Sequence, residues 1–484
     1  MSQPKKSFAT LSLSPELLSN LSSLNYTEMT PIQAQSLPYI LEGKDVIGQA
    51  KTGSGKTAAF GLGLLAKLDA KNFDVQALVL CPTRELADQV ANALRDLART
   101  IPNIKILTLC GGIPFGPQAG SLEHGAHIIV GTPGRVNDHL QKNTLQLDHV
   151  STLVLDEADR MLDMGFQEQL DAIVAAIPAE RQTLLFSATF SAEIKLVARQ
   201  MMRSPERVTA PDAHDNATIE QHFYCVPDEG HRFKAVRLVL LQHQPESTVV
   251  FCNTKKDTHD VAEALRSCGF SALAIHGDLE QSDRDRTLVR FANKSTAVLV
   301  ATDVAARGLD IEALDAVINY QLASDTEVHT HRIGRTGRAG STGMAFTIYT
   351  EAERYKADRL EQYLNMAITA EPLPNAELLN TEPVEPAMAT LQLDAGKKQK
   401  IRPGDVLGAL TGEHGIAGSQ VGKINVFDTA TYVAVSTSAV SAALKKLKTD
   451  KLKGRLVKAR RLEGQPTNSR RIAKRRGRES EAPR

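Results

Sequence analysis

The run Ala50-Lys51-Thr52-Gly53-Ser54-Gly55-Lys56-Thr57 stands directly after a short apolar stretch and opens a helical pattern. Gly53 and Gly55 let a backbone turn tightly and aim its amides at phosphate oxygens. Lys56 can reach the β- and γ-phosphates of a nucleotide, and the Thr57 hydroxyl suits magnesium. Ala50 replaces the first glycine of the strict P-loop pattern, yet strand, lysine, hydroxyl and helix stand in order. About a hundred residues on, Asp156-Glu157-Ala158-Asp159 follows the apolar run Thr152–Leu155. Acidic residues at the carboxyl end of a parallel strand are where a nucleotide's metal would sit. Asp156 is placed to hold magnesium, and Glu157 to orient or deprotonate an attacking water.

A third group is His331-Arg332-Ile333-Gly334-Arg335-Thr336-Gly337-Arg338, in which arginines recur every three residues among glycines. That spacing suits a guanidinium clamp on charge developing at a phosphoryl group, which for arginine fingers is worth on the order of 10³–10⁵ in rate. A second glycine–lysine run, Gly418–Ile424, lacks the hydroxyl after lysine and reads as a turn.

Such groups need a rigid frame. Apolar runs at Val46–Ala50, Ala77–Cys81, Ile128–Val130, Leu153–Leu155 and Thr183–Phe186 have few polar interruptions, as expected of parallel strands covered on both faces. Helical patterns such as Glu85–Arg99 and Phe166–Ile177 alternate with them, which predicts a doubly wound α/β domain over 1–210. The texture restarts with strands at Thr248–Cys252, Ala272–Ile275, Ala297–Ala301, Ala316–Asn319 and Met344–Ile348. It predicts a second α/β domain over 211–368, with the boundary near Pro211–Asn216.

Residues 369–387 carry four prolines and four glutamates and predict an extended, self-repelling linker. Beyond it, over 388–462, strands at Thr390–Leu393, Lys423–Phe427, Tyr432–Val435 and Arg455–Arg460 interleave with helices at Pro403–Leu410 and Ala439–Leu447. The order βαββαβ is that of a ferredoxin-like domain, shared by many RNA-recognition modules. The basic tail 463–484 has a composition expected of disorder when unbound.

The formal charge of +1 over 484 residues hides an asymmetry. Residues 388–484 hold 21 lysines and arginines against 8 acidic residues, a net of +13, which leaves −12 for residues 1–387. An appended module for a polyanion is implied. Five cysteines without a CxxC pair fit a reducing cytosol, with Cys81 and Cys252 as buried thiols. No signal peptide or membrane span is expected.

Motif after motif, residues 8–350 resemble the DEAD-box ATP-dependent RNA helicases. Besides the three groups above, the chain shows MTPIQ (29–33), PTREL (82–86), Gly111-Gly112, TPGR (132–135) and SAT (187–189). VVFCNTK (249–255), HGDLEQSDR (276–284) and ATDVAARGLD (301–310) complete the set. The resemblance implies two tandem RecA-like doubly wound parallel-sheet domains, with ATP and Mg2+ as cofactors. It implies that Tyr26 stacks on adenine, Gln33 bonds the adenine edge and Phe8 closes that pocket. It makes Arg335 and Arg338 the fingers, Asp310 a ribose contact, and Ser187 and Thr189 the coupling of hydrolysis to strand separation. RNA backbone would lie on Arg84, Gly112, Thr132 and Arg135 of the first domain and on Gln281, Arg284 and Thr302 of the second. One departure is Asn25 before Tyr26, where the family pattern has glycine.

The stretches at 402–412 and 421–435 are similar to the RNA-binding domain of the DbpA-type subgroup, whose members recognise a hairpin of large-subunit (23S) ribosomal RNA. The resemblance implies action in assembly of the large ribosomal subunit, and the chain is expected to be a cytoplasmic monomer. The small domain has only Phe427 and Tyr432 as aromatics. Recognition is therefore expected through Lys397, Lys398, Lys400, Arg402, Lys423 and the basic residues of 445–461, not through base stacking. A general RNA helicase of RNA decay or cold adaptation with a nonspecific tail is the alternative. From another class, a non-enzymatic RNA-binding assembly factor would need a degenerate nucleotide site.

Overall fold

The structure is a computed structural model that describes residues 6–50, 53–209, 219–306, 314–323, 325–337, 342–449 and 452–464. It divides into two compact units, Met1–Asp215 with Gly308–Asp310, and Asn216–Arg307 with Ile311–Arg484. The expected boundary near Pro211–Asn216 lies outside the described residues, as does most of the tail.

The first unit holds seven strands: β1 (Val46–Gln49), β2 (Ala77–Leu80), β3 (Ile106–Leu109), β4 (Ile128–Gly131), β5 (Thr152–Asp156), β6 (Gln182–Ser187) and β7 (Glu206–Thr209). They form one sheet in the order β3-β4-β2-β5-β6-β1-β7, and every pair is parallel. Side chains alternate between two cores. Val46, Val79, Val154, Leu184 and Phe186 enter one, while Ile47, Leu78, Leu80, Leu153, Leu155 and Leu185 enter the other. A strand apolar on both faces is the reason the sheet must be covered twice. The helix Arg84–Leu97 shows how the cover is made. Thr83 accepts the Leu86 amide at its start, and Leu86, Val90, Leu94 and Leu97 bury one stripe.

The second unit has six parallel strands: β8 (Ile219–Val226), β9 (Thr248–Cys252), β10 (Ala272–Ile275), β11 (Val298–Thr302), β12 (Ala316–Asn319) and β13 (Gly343–Thr350), in the order β10-β11-β9-β12-β13-β8. The central strands coincide with the apolar runs. β3, β7 and β8 were not foreseen, because a sheet edge demands little apolar character: β7 reads Glu-Arg-Val-Thr and buries only Val208.

The remaining strands, β14 (Met388–Leu393), β15 (Val421–Val426), β16 (Thr431–Ser436) and β17 (Ala459–Arg461), form an antiparallel sheet ordered β15-β16-β14-β17. With helices Pro403–Thr411 and Val440–Thr449 this is the expected βαββαβ fold. Its last strand is shorter than expected. Residues 452–455 close a tight turn, with Lys453 and Gly454 left-handed and Leu452 paired to Arg455. Of Gly418–Ile424, read from its sequence as a turn, only Gly418–Gln420 form one, and Val421–Ile424 already belong to β15.

The linker departs from expectation. Leu373, Leu378 and Leu379 pack on the core of the second α/β domain. The Glu371 amide donates to Phe223 O at 2.7 Å and the Glu371 carboxylate meets His222 at 3.0 Å. Three leucines outweigh the prolines and glutamates that suggested a free spacer.

The small domain's sheet is covered on both faces. Leu391, Leu393, Val433 and Val435 face its helices. Thr390, Gln392, Tyr432 and Ala434 alternate with them and are buried too. The Thr390 hydroxyl bonds Asn293 Nδ2 at 3.2 Å and Ser295 Oγ at 2.7 Å, which ties this face to the second α/β domain. Leu391→Ala should destabilise the small domain by about 2–5 kcal/mol. Hydrogen exchange should quicken in β14–β17 and leave β1–β7 unchanged.

Candidate functional site

Strand order decides which loops meet. β1, β6 and β5 are neighbours, so the segments leaving their carboxyl ends converge. These carry the Gly53–Thr57 loop, SAT and the acidic tetrad. Crevices at the carboxyl edge of such sheets are where ligands bind.

Gly53 and Gly55 take φ of 81° and 91°, and the helix Lys56–Lys67 starts at Lys56. Its first-turn amides, with Thr57 among them, are oriented for an anion. The Lys56 amine is buried and donates to Ala50 O at 3.0 Å. Lys51 and Thr52 lie outside the described residues.

Asp156 ends β5, fully enclosed. Burial pushes its carboxyl up to about 6 despite the nearby Lys56 charge, with the Glu157 charge adding to the rise. Its Oδ1 is buried and accepts no hydrogen bond among the described residues. An orphaned carboxylate oxygen beside a phosphate-type loop fits a divalent cation. Among the described residues no cluster of three or more His, Cys, Asp or Glu is built to hold an ion. Mg2+ keeps several waters and takes substrate phosphates as ligands, so a single buried carboxylate oxygen beside a phosphate loop is a donor it can use.

Glu157 is buried, left-handed at φ 54°, and pairs with Arg160 at 3.1 Å. A non-glycine residue held there is strained, as functional positions often are. Asp159, given no role from the sequence, is the hinge to SAT. Its Oδ2 accepts Ala188 N at 3.1 Å, Thr189 N at 3.0 Å and Thr189 Oγ1 at 3.2 Å. Burial raises its carboxyl, but the nearby Ser187 hydroxyl, the Thr189 amide and the Lys56 charge outweigh that and hold it below the usual range. The spacing of three from Asp156 was the available signal.

Gln33 is placed differently from its expected use. Its Oε1 accepts the Thr30 amide at 2.9 Å and its Nε2 donates to Gly55 O at 3.0 Å. In this state it caps its own helix and ties that helix to the phosphate loop. Phe8 is buried, with Tyr26 above it edge-on at 6.2 Å and partly exposed. Asn25 explains its own departure: it sits at φ 61°, a conformation asparagine tolerates nearly as glycine does.

The other end of the same sheet edge gathers the second set. β2, β4 and β3 end at PTREL, TPGR and Gly111-Gly112. Gly112 has φ 70°, and a Cβ on it would collide with the Arg84 guanidinium. Thr132 heads the helix that carries Arg135, whose Nη1 donates to Ile113 O at 2.9 Å. In the second unit Gln281 starts the helix Gln281–Ala292. Arg284 donates to Ala305 O at 2.8 Å, and the Ala305 amide meets Thr302 Oγ1 at 3.4 Å.

The arginine triplet is corrected. Arg332 is buried structure: it donates to Asp303 at 2.6 and 2.8 Å, Asn253 Oδ1 at 2.8 Å and Gln321 O at 2.9 Å. It knots together the loops after β9, β11 and β12 and has no donors left for a phosphoryl group. Arg335 is nearly buried, and Arg338 and Asp310 lie outside the described residues. In the small domain Lys397, Lys398, Lys400, Arg402 and Lys423 are all exposed, and Lys453 bridges Lys400 O and the Asp405 carboxylate.

Residues 30–197 match the model of the DEAD/DEAH box helicase domain, 231–340 that of the helicase conserved C-terminal domain and 390–461 that of the DbpA RNA binding domain. The chain is 54% identical over 456 residues to the ATP-dependent RNA helicase DbpA of Escherichia coli (strain K12), covering 94% of this chain and 99% of the relative. It is 38% identical to the DbpA of Bacillus subtilis (strain 168), covering 93% and 98%. Dbp5 of S. cerevisiae bound to RNA and ADP BeF3 superposes with a TM-score of 0.69 at 29% identity, over 78% of this chain and 99% of that one. The chain belongs to the DEAD-box ATP-dependent RNA helicases, within them to the DbpA subgroup. It is an ATP-using, RNA-dependent enzyme with RNA as partner. Among the described residues no helix is long and apolar enough to cross a membrane.

Arg332→Ala should lower the stability of the second unit by about 3 kcal/mol, at the low end for a broken buried pair because Asp303 keeps some solvent. Urea unfolding checks this, and Arg332→Lys should recover only part, since one ammonium cannot serve the planar network.

Proposed function

We propose that the chain couples ATP hydrolysis to local opening of RNA duplexes and is targeted to a hairpin of 23S ribosomal RNA during assembly of the large ribosomal subunit. The observation that carries the reading is the split of one sheet edge, with phosphate-handling groups at the ends of β1, β5 and β6 and RNA-type groups at the ends of β2, β3 and β4.

Ala50 to Thr57 cradle the triphosphate, and Lys56 turns from Ala50 O to its outer phosphates. Thr57 and Asp156 would hold Mg2+, which would supply charge neutralisation at the phosphate oxygens. Glu157 positions the attacking water, and Arg335 and Arg338 of the second domain meet the developing phosphoryl charge. Tyr26 and Phe8 line the adenine end, with Gln33 exchanging its present partners for the base; Asp310 takes the ribose. Asp159, bonded to Ala188 and Thr189, transmits the state of the acidic tetrad to SAT, where Ser187 and Thr189 couple it to the RNA edge.

Arg84, Gly112, Thr132 and Arg135, with Gln281, Arg284 and Thr302, hold RNA by its backbone, which is sequence-blind. Specificity falls to the basic small domain. Tyr432 is buried and its sheet face is covered, so no stacking platform is presented. That supports reading of a folded hairpin by Lys397, Lys398, Lys400 and Arg402 through charge and shape. The working unit is a cytoplasmic monomer.

Lys56→Ala should reduce RNA-stimulated ATP hydrolysis to background, while Arg335→Ala should cost on the order of 10³ in kcat. Fragments of large-subunit ribosomal RNA should stimulate hydrolysis more than unrelated RNA of equal length, and removal of 388–484 should erase the difference. Equal stimulation by both RNAs would return the chain to a general helicase.

A further inference from the structure

The helix Gln281–Ala292 carries Gln281 and Arg284 at its start and Arg290 in its last turn. Nothing above gives Arg290 a task. Its Nε is sealed from solvent and donates to no group among the described residues. Its Nη1 donates to the carbonyl of Gly464, just beyond the last strand of the small domain. Arg461, the last residue of β17, stands three residues before that carbonyl, so the Arg290 bond draws the two guanidinium-bearing segments together. Arg266, near the end of the helix Lys255–Ser267 and donating to Ala272 O at 3.4 Å, adds its charge to theirs. The carboxylate facing the cluster is Glu463, which pairs with Arg461 at 3.4 Å, and Glu263 lies by Arg266.

Three separate elements thus bring three guanidinium groups to the joint between the second α/β domain and the small domain. Burial, then the charges of Arg266 and Arg461, pull Arg290 down to about 10. Like charges gathered where solvent is thin weaken a fold unless an anion joins them. Guanidinium forks match phosphate oxygens better than any other anion class that a protein meets along a nucleic acid.

Two features of the chain choose the source of that phosphate. Arg290 stands toward the far end of the helix that begins with Gln281 and Arg284, about 14 Å along it from Gln281 and about 9 Å from Arg284 at 1.5 Å per residue. Past Gly464 the sequence adds seven lysines and arginines against two glutamates, so a basic stretch of sequence follows directly on the cluster. We propose that Arg266, Arg290 and Arg461 form a phosphate-binding site at this joint, and that its ligand is a backbone phosphate of the bound RNA. The site needs an RNA partner but no ribosomal specificity.

The test uses the full chain and its Arg290→Gln and Arg461→Gln variants. RNA affinity is titrated against KCl with a large-subunit ribosomal fragment and with unrelated RNA. Each variant should flatten the slope of log K on log salt by about 0.7–0.9, the value of one lost phosphate contact. Affinity at 0.1 M salt should fall roughly three- to tenfold for both RNAs, with the melting temperature held or raised. An unchanged slope in Arg461→Gln, a partly exposed residue outside the core, overturns the proposal even if Arg290→Gln fails to fold. Melting with inorganic phosphate at matched ionic strength separates the sources. Protection of the parent by free phosphate, with the RNA slope unchanged in the variants, makes this a free-anion site and removes the RNA assignment. Failure of the ribosomal reading looks different: the two RNAs stimulate equally while the slopes still fall.

Discussion

A buried ammonium beside buried carboxylates sets the terms for the first unit. Lys56 and Asp156 are both withdrawn from water, and neither could be left there alone without a cost of several kcal/mol. The Lys56 charge opposes the rise that burial imposes on Asp156. The balance is incomplete, since an Asp156 oxygen keeps no partner among the described residues. A site so arranged is stable enough to fold and unsatisfied enough to take a charged ligand. The backbone around it is bent to the same end, with Gly53, Gly55 and Glu157 all held left-handed.

That balance depends on parallel strands delivering their successors to one edge. Because β6 lies between β1 and β5, the SAT segment stands between the phosphate loop and the acidic tetrad. Asp159 makes the link material, accepting two SAT amides and the Thr189 hydroxyl. A change at the tetrad therefore has a short path of hydrogen bonds to the segment beside it, with no need for a long-range relay.

The central strands and the nucleotide groups were legible because each obeys a local rule. Val46–Gln49 is apolar on both faces, and Gly55-Lys56-Thr57 announces a helix start with a charge on it. Edge strands escaped the same rule, since β7 and the outer parts of β8 face water on one side and look like loops. Arg332 misled for another reason. Its spacing matched Arg335 and Arg338, but its partners Asn253, Asp303 and Gln321 are distant in sequence and only the fold assembles them. The linker erred through composition: averaging over nineteen residues hid three leucines aimed at one core.

The docked strap and the Thr390–Ser295 contact change what the small domain can do. A module on a free spacer raises the local concentration of its RNA around the enzyme but does not aim it. Here the sheet face, the strap and the Gly464 carbonyl all fasten the module to the second α/β domain. The module itself is then held in a fixed relation to Gln281, Arg284 and Thr302. The helix Gln281–Ala292 supplies that relation, with Gln281 and Arg284 at one end and the turn to Asn293 and Ser295 at the other. The small domain is thereby tied to the same helix on which Gln281 and Arg284 stand, and the tie runs through side chains that leave little room for it to swing.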